Sequence, residues 1–299
     1  MPLYEPREAQ AIVRTLLCDG HGLTLADVLT GALDSLSPDS SALLETQMQR
    51  LERAEPVQQV LGFAWFCGRR YRVMPDVLTP RPETEELCRW IIDDMTWPQS
   101  PVVADIGTGS GCIACTLALD LPGADVTAID ISAAALNVAR TNAATLGARL
   151  HLLQADVLAS GAHGQHGATH VPSGATARSQ YKPDVLQPGT CHIVVSNPPY
   201  ITLSERAAMH PNVTDHEPHQ ALHEPHLALF VPDDDPLLFY RAIARRARTW
   251  LRPGGWLFFE INPLHAATLA ELLSSLGYTD TLLRHDTHGR LRMARAQLS

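Results

Sequence analysis

The stretch that most constrains this chain is Asp105-Ile106-Gly107-Thr108-Gly109-Ser110-Gly111. It follows an apolar, β-branched run from Pro101 to Asp105 and opens a second apolar run, Cys112 to Leu121, that is long enough for a helix. Glycines at alternate positions permit a tight turn and leave bare backbone for a ligand at the helix N-terminus. A dinucleotide-binding turn would carry its third glycine where this chain has Cys112, and no Gly-Lys-Ser or Gly-Lys-Thr follows to make a phosphate-binding loop. The pattern is Asp-x-Gly-x-Gly-x-Gly, distinct from both.

The alternation continues. Asp125 to Asp130 reads as a second strand, Ser132 caps a helix running to about Leu146, and Leu150 to Leu153 is a third strand ending near Asp156. This is the β-α-β-α-β half of a doubly wound α/β sheet, whose ligands lie beyond the carboxyl ends of the strands. Asp130, at such an end, can take both hydroxyls of a ribose. Ile131 follows it as a further cofactor-side residue. Asp156 can accept from an adenine amino group while Val157 lines the ring, although helix capping explains Asp156 equally well. With Asp105, Gly107, Thr108, Gly109, Ser110 and Gly111, these residues form the expected site for a nucleoside-bearing cofactor.

A fourth strand, Cys191 to Val195, runs into Ser196-Asn197-Pro198-Pro199-Tyr200. Neither proline can donate to a sheet ladder, and the first holds Asn197 extended, so the strand ends abruptly at the edge where ligands bind. The Asn197 side chain and the carbonyls of Asn197 and Pro198 then point off the carboxyl end of the sheet, with Pro199 and Tyr200 following. A rigid turn is the plainer account of the same residues. Arg81, between Pro80 and Pro82, suits an anchor beside a cleft, and a surface role suits it as well.

Composition bounds the partners. The formal net charge is -9 with no block of Lys and Arg, which argues against the phosphate backbone of nucleic acid as main partner. No apolar run of membrane-spanning length and no signal-like start are present, so a cytoplasmic protein is expected. The six cysteines are scattered, which suits a reducing compartment, and Cys112 and Cys115 are read as small residues packing a helix rather than as redox or zinc groups.

With 299 residues the chain has room for a large domain and a small one. Residues 1–55 carry three helical patterns, centred on Ala9 to Leu17, Leu25 to Leu33 and Leu43 to Leu51, with Thr24 and Ser37 as N-caps. Residues 56–82 contain a hairpin linker, Phe63 to Cys67 and Tyr71 to Met74 about Gly68-Arg69-Arg70. Residues 83–299 form the main domain, interrupted by a Gly-, His- and Ser-rich stretch at 159–187 read as a flexible insertion. His163, His166 and His170 there make a poor metal cage. The tandem copy of seven residues at 216–229 likewise reads as duplicated loop sequence, since Pro218 and Pro225 forbid one helix. A helix from Asp235 to Leu251 stopped by Arg252-Pro253-Gly254-Gly255, a strand from Trp256 to Ile261, a helix from Leu264 to Leu276 and a terminal β pair complete the chain.

The glycine turn, Asp130, Asp156 and Asn197-Pro198-Pro199-Tyr200, in this order and spacing, resemble an S-adenosylmethionine-dependent methyltransferase of planar amino groups. The N-terminal helices, Leu61-Gly62 with Phe66, and Arg81-Pro82-Glu83-Thr84-Glu85 make the chain resemble the HemK family, the glutamine N5-methyltransferases that act on peptide chain release factors. The resemblance covers nearly the whole length except the insertion. It implies a seven-stranded Rossmann-like domain with its last strand antiparallel, S-adenosylmethionine as cofactor, and a release factor as protein partner. It also implies that the Asn197 side-chain oxygen and the Pro198 carbonyl accept the two N–H bonds of the substrate amide while Tyr200 stacks on its plane. Glu260 and Arg292 match family positions, and a salt-bridged or solvated face explains them too. Three other readings stand beside this one: a ribosomal-protein glutamine methyltransferase, an adenine-N6 nucleic-acid methyltransferase, and a cofactor-binding module without turnover.

Overall fold

The computed structural model describes residues 3–75, 77–93, 96–159, 186–205 and 230–299. Most of the 159–187 stretch with its histidines, and the tandem copy at 216–229, lie outside the described residues. The chain begins with helices α1 (Pro6–Thr15), α2 (Leu25–Leu29) and α3 (Pro38–Leu51), followed by a further short helix α4 (Val57–Leu61). Thr24 caps α2 by accepting from the Asp27 amide while the Asp27 side chain returns the bond, and Ser37 caps α3 through the Ser40 amide. Leu16, Leu51, Val57 and Val60 form a small core among these helices. The fourth helix falls inside the span expected to be linker, because Val57 and Val60 complete that core.

Strands β1 (Phe63–Phe66) and β2 (Arg69–Arg72) pair as an antiparallel hairpin. The turn is Cys67-Gly68, at φ 46° and 74°, so the second strand starts two residues earlier than the sequence pattern suggests. Positive φ at both central residues matches the twist of the flanking strands. One side chain from outside the hairpin bonds its backbone directly. Asn142 Oδ1 accepts from the Arg72 amide at 2.8 Å, and its Nδ2 donates to the Arg72 carbonyl at 3.1 Å and the Ser110 carbonyl at 2.8 Å. Tyr71, fully buried, meets Phe66 edge-on and shares a hydrogen bond with Thr116 at 3.1 Å.

After α5 (Pro82–Asp93) the main domain alternates β3 (Val102–Ile106), α6 (Cys112–Asp120), β4 (Asp125–Asp130), α7 (Ala133–Leu146), β5 (Leu150–Gln154) and β6 (Cys191–Ser196). A two-residue pair, β7 (Ile201–Thr202) with β8 (Phe230–Val231), precedes α8 (Leu238–Trp250), β9 (Leu251–Glu260), α9 (Ala266–Ser275), β10 (Tyr278–His285) and β11 (Leu291–Leu298). The sheet has seven strands in the order β10-β11-β9-β6-β3-β4-β5, and β11 alone runs against the others. The fold is therefore α/β and Rossmann-like. Arg252 to Gly255, expected between helix and strand, instead form an irregularity within β9, where Cys191 pairs with Leu251 but Ile193 pairs with Trp256.

Both faces of the sheet are covered, which is why its strands read as continuous apolar runs. Val194, Leu257 and Phe259 point to one face beneath α8 and α9, while Ile193, Val195 and Phe258 point to the other beneath α5 and α6. Cys112 and Cys115 are free and buried in the second core. No helix among the described residues is long and apolar enough to cross a membrane.

Asn142 is 2% exposed and serves three backbone groups at once. Replacing it by Ala strands buried donors and acceptors and is expected to destabilise the fold by about 2–3 kcal/mol, measured by urea denaturation.

Candidate active site

The register fixes what the carboxyl edge of the sheet brings together. Ile106 pairs with Ile129 of β4 on one side and with Ser196 of β6 on the other, and Ser196 pairs in turn with Phe259 of β9. The glycine turn, Asp130, Asn197 and Glu260 therefore leave neighbouring strands at one level. Strand order reverses at β3, the place where such sheets bind ligands. The buried Ser196 hydroxyl donates to the Ile106 carbonyl at 2.6 Å and ties the two loop origins together.

Within the turn, Gly107, Gly109 and Gly111 have φ of 70°, 54° and 78°. A Cβ on Gly107 or Gly109 would meet nothing within 4 Å, whereas one on Gly111 would lie 2.9 Å from the Ala139 Cβ. The first two glycines thus border open space, and the third lets α6 close on α7. Thr108 and Ser110 are buried, and the Thr108 hydroxyl is committed to Asp105 Oδ2 at 2.6 Å, so Thr108 can meet a ligand through its main chain.

Asp105 is fully buried. Its Oδ2 also accepts from the Ala114 amide at 3.1 Å, while Oδ1 is buried without a hydrogen-bond partner. Burial, with the nearby Asp130 charge adding to it, pushes this carboxyl up to about 7. Asp130 accepts from the Gly109 amide through Oδ2 and from the Ser132 amide through Oδ1, each at 2.9 Å. Burial raises it as well. Each of its oxygens keeps a second lone pair for a hydroxyl donor. Ile131 beside it is 46% exposed, an apolar surface at the cleft. Asp156 is exposed and accepts from the Leu158 amide at 2.7 Å; no helix starts there among the described residues, so its local role is a turn. Val157 packs against the first core and its carbonyl accepts from Arg246 Nε at 2.8 Å. Open space over two glycines, an acid with spare acceptor capacity, an exposed apolar residue and an unpartnered buried carboxyl oxygen fit a nucleoside-bearing cofactor that also carries a donor group.

Beside this lies a second polar group. Asn197 Nδ2 donates to Thr84 Oγ1 at 3.1 Å, and the Thr84 hydroxyl donates to Glu260 Oε2 at 2.6 Å. The Tyr200 hydroxyl donates to Glu260 Oε1 at 2.8 Å, while Asn262 Nδ2 donates to the Tyr200 carbonyl at 3.1 Å. Glu260 is 2% exposed: burial, with the Glu83 charge adding to it, raises its carboxyl, and the two hydroxyl donors and the Arg292 charge offset only part of that rise. It is not solvated, and among the described residues it makes no ion pair; Arg292 faces Asp286 instead, at 3.7 Å. Burial and the neighbouring carboxylate hold the Tyr200 hydroxyl well above its ordinary range, so it keeps its proton. Arg81 is half-buried just before α5, and its carbonyl accepts from the Thr84 and Glu85 amides.

Thr84 is the residue sequence reasoning missed as a site component. It was visible inside Arg81-Pro82-Glu83-Thr84-Glu85, but its partners lie 113 and 176 positions away.

Sheet order, glycine turn, strand-end acid and Asn-Pro-Pro-Tyr segment together define a Rossmann-like methyltransferase, and residues 87–169 match the family model "Methyltransferase small domain". Among curated proteins, the release factor glutamine methyltransferase of Bacteroides thetaiotaomicron is 39% identical over 98% of this chain and 94% of its own length. That of Flavobacterium psychrophilum is 34% identical over 97% and 92%, and that of Cereibacter sphaeroides 37% over 97% and 92%. The chain belongs to the release factor glutamine methyltransferase family.

Asp105 has a folded value raised above the ~3.9 of an unfolded Asp. The folded state therefore binds the proton more tightly, and its stability falls as pH rises between about 4 and about 7. Asp105→Asn removes this titration. Its unfolding free energy in urea, relative to the parent without ligand, is expected to grow across that window by on the order of 3 kcal/mol and to level off above it; a flat difference would contradict a buried, titrating carboxyl.

Proposed function

We propose that this protein methylates the side-chain nitrogen of the glutamine in the Gly-Gly-Gln motif of peptide chain release factors, using S-adenosylmethionine, in the cytoplasm. Residues 1–55 serve as the substrate-recognition domain, residues 56–82 as the hairpin linker and residues 83–299 as the methyltransferase domain. The observation that carries this reading is the pairing of Ile106 with Ser196, which sets the glycine turn directly beside Asn197. The relatives named above share nearly the entire length, N-terminal helices included, and this supports a release factor over a nucleic acid as substrate. The net charge of -9 points the same way.

Bound S-adenosylmethionine supplies a methyl group already activated on a sulfonium. Asp130 would hold the ribose hydroxyls, Ile131, Asp156 and Val157 would border the adenine, and the backbone of Gly107 to Gly111 would lie against the rest, with Asp105 Oδ1 as an acceptor nearby. What remains is to place a poor nucleophile, since an amide lone pair is delocalised. Asn197 Oδ1 and the Pro198 carbonyl would accept its two N–H bonds, fixing its rotation and favouring the positive charge that develops on nitrogen. Tyr200 and Pro199 would flank the amide plane, where an aromatic face suits a nearby cation. Arg81 would contact the protein substrate at the rim. No residue here need act as base: Tyr200 keeps its proton, and the nitrogen can lose its own after transfer.

Labelled S-adenosylmethionine offered with a release factor, its Gln→Ala variant, a ribosomal protein and duplex DNA tests the assignment. Label is expected on the first alone. Label on the variant, or only on DNA or ribosomal protein, overturns it. In the same assay Asn197→Ala should lower kcat by at least about 100-fold while cofactor affinity stays within about threefold.

A further inference from the structure

We propose that Thr84 and Glu260 form a positioning relay that fixes the orientation of the Asn197 amide, so that its oxygen and not its NH2 group faces the substrate. The inference rests on the reading of Asn197 Oδ1 as acceptor for the substrate nitrogen. It follows from counting protons. Glu260 accepts at both oxygens, from Thr84 at 2.6 Å and from Tyr200 at 2.8 Å, so as a carboxylate it uses two hydroxyl donors and offers none. Thr84 has one hydroxyl proton, and Glu260 takes it. Only lone pairs remain on Thr84 Oγ1, and the group of Asn197 within reach, at 3.1 Å, must therefore be the donor Nδ2. Oδ1 is left to the other side.

An asparagine amide is nearly symmetric in shape, so sterics alone would not choose between the two orientations. The wrong one would set an NH2 group against the NH2 group of a glutamine side chain, repelling what the site must hold. Thr84 and Glu260 are each 2% exposed, so water does not compete for these bonds. The three residues come from the start of α5, the end of β6 and the end of β9, elements whose relative placement the core fixes through contacts such as Trp90 of α5 edge-on to Phe258 of β9, with ring centroids 5.7 Å apart. The relay also reaches Tyr200, so one carboxylate orients both side chains assigned to the substrate amide.

Two variants separate this role from simple packing. Thr84→Val keeps shape and removes the hydroxyl; kcat for release-factor methylation is expected to fall about 10- to 100-fold, while the Kd for S-adenosylmethionine and the KM for the release factor stay within about threefold. Thr84→Ser restores the hydroxyl without the methyl group and should return kcat to within about threefold of the parent. Glu260→Gln keeps size but can turn an NH2 group towards Thr84, whose freed proton then goes to Asn197 Oδ1 and inverts the amide; kcat should fall although melting temperature and cofactor Kd hold. Should Thr84→Val fail to fold, Thr84→Ser and Glu260→Gln still decide. Parental kcat in Thr84→Val or Glu260→Gln, or a Thr84→Ser variant as slow as the valine one, overturns the relay. Asn197→Ala with parental kcat would instead remove the reading of Asn197 on which it rests.

Discussion

Everything at the site depends on a level register across parallel strands. Ser196 pairs with Ile106 on one side and with Phe259 on the other, and its hydroxyl bonds the Ile106 carbonyl across the first pair. With both faces of the sheet under helices, polar side chains have little place along these strands and gather where the strands stop. Asp105, Asp130 and Glu260 all stand at such ends, and burial raises all three. A slip of one residue between β3 and β6 would send each strand's side chains to the opposite core and part the glycine turn from Asn197.

The three acids illustrate how burial is made tolerable. Each receives hydrogen bonds from groups held by rigid structure: backbone amides at the start of α6 and beside Asp130, or hydroxyls anchored on α5 and after β6. A buried charge without such donors would be costly. The donors also orient, because a group that gives its only proton to a carboxylate presents a lone pair to its next neighbour. Electrostatic need at Glu260 thus becomes geometry at Asn197.

Much of this was legible in the sequence because strand ends announce themselves. Alternating glycines, a lone Asp after an apolar run and a double proline each break a local pattern, and the breaks fell on the edge that the fold exposes. Thr84 breaks nothing: a threonine in a first helical turn is ordinary, and only tertiary structure brings it to Asn197. Glu260 was seen at a strand end, but its surroundings, two hydroxyls rather than solvent or a cation, depend on α5 lying against β9. Helix α4 was missed because Val57 and Val60 make too short a pattern without the core they complete. The hairpin turn was misplaced because Cys67, a non-glycine at φ 46°, gives no sign in sequence that it will adopt that conformation.

Asn142 reaches in two directions from the middle of α7. Its amide bonds both backbone groups of Arg72 in the hairpin and, through the same nitrogen, the Ser110 carbonyl in the glycine turn. The hairpin strand that leads from the helical segment and the loop that would cradle the methyl donor are therefore clipped to one planar group only a few ångströms across. Hairpin and turn share a common datum in that amide, so their spacing is gauged across a few bonds in space and does not accumulate error along the seventy residues between Arg72 and Asn142.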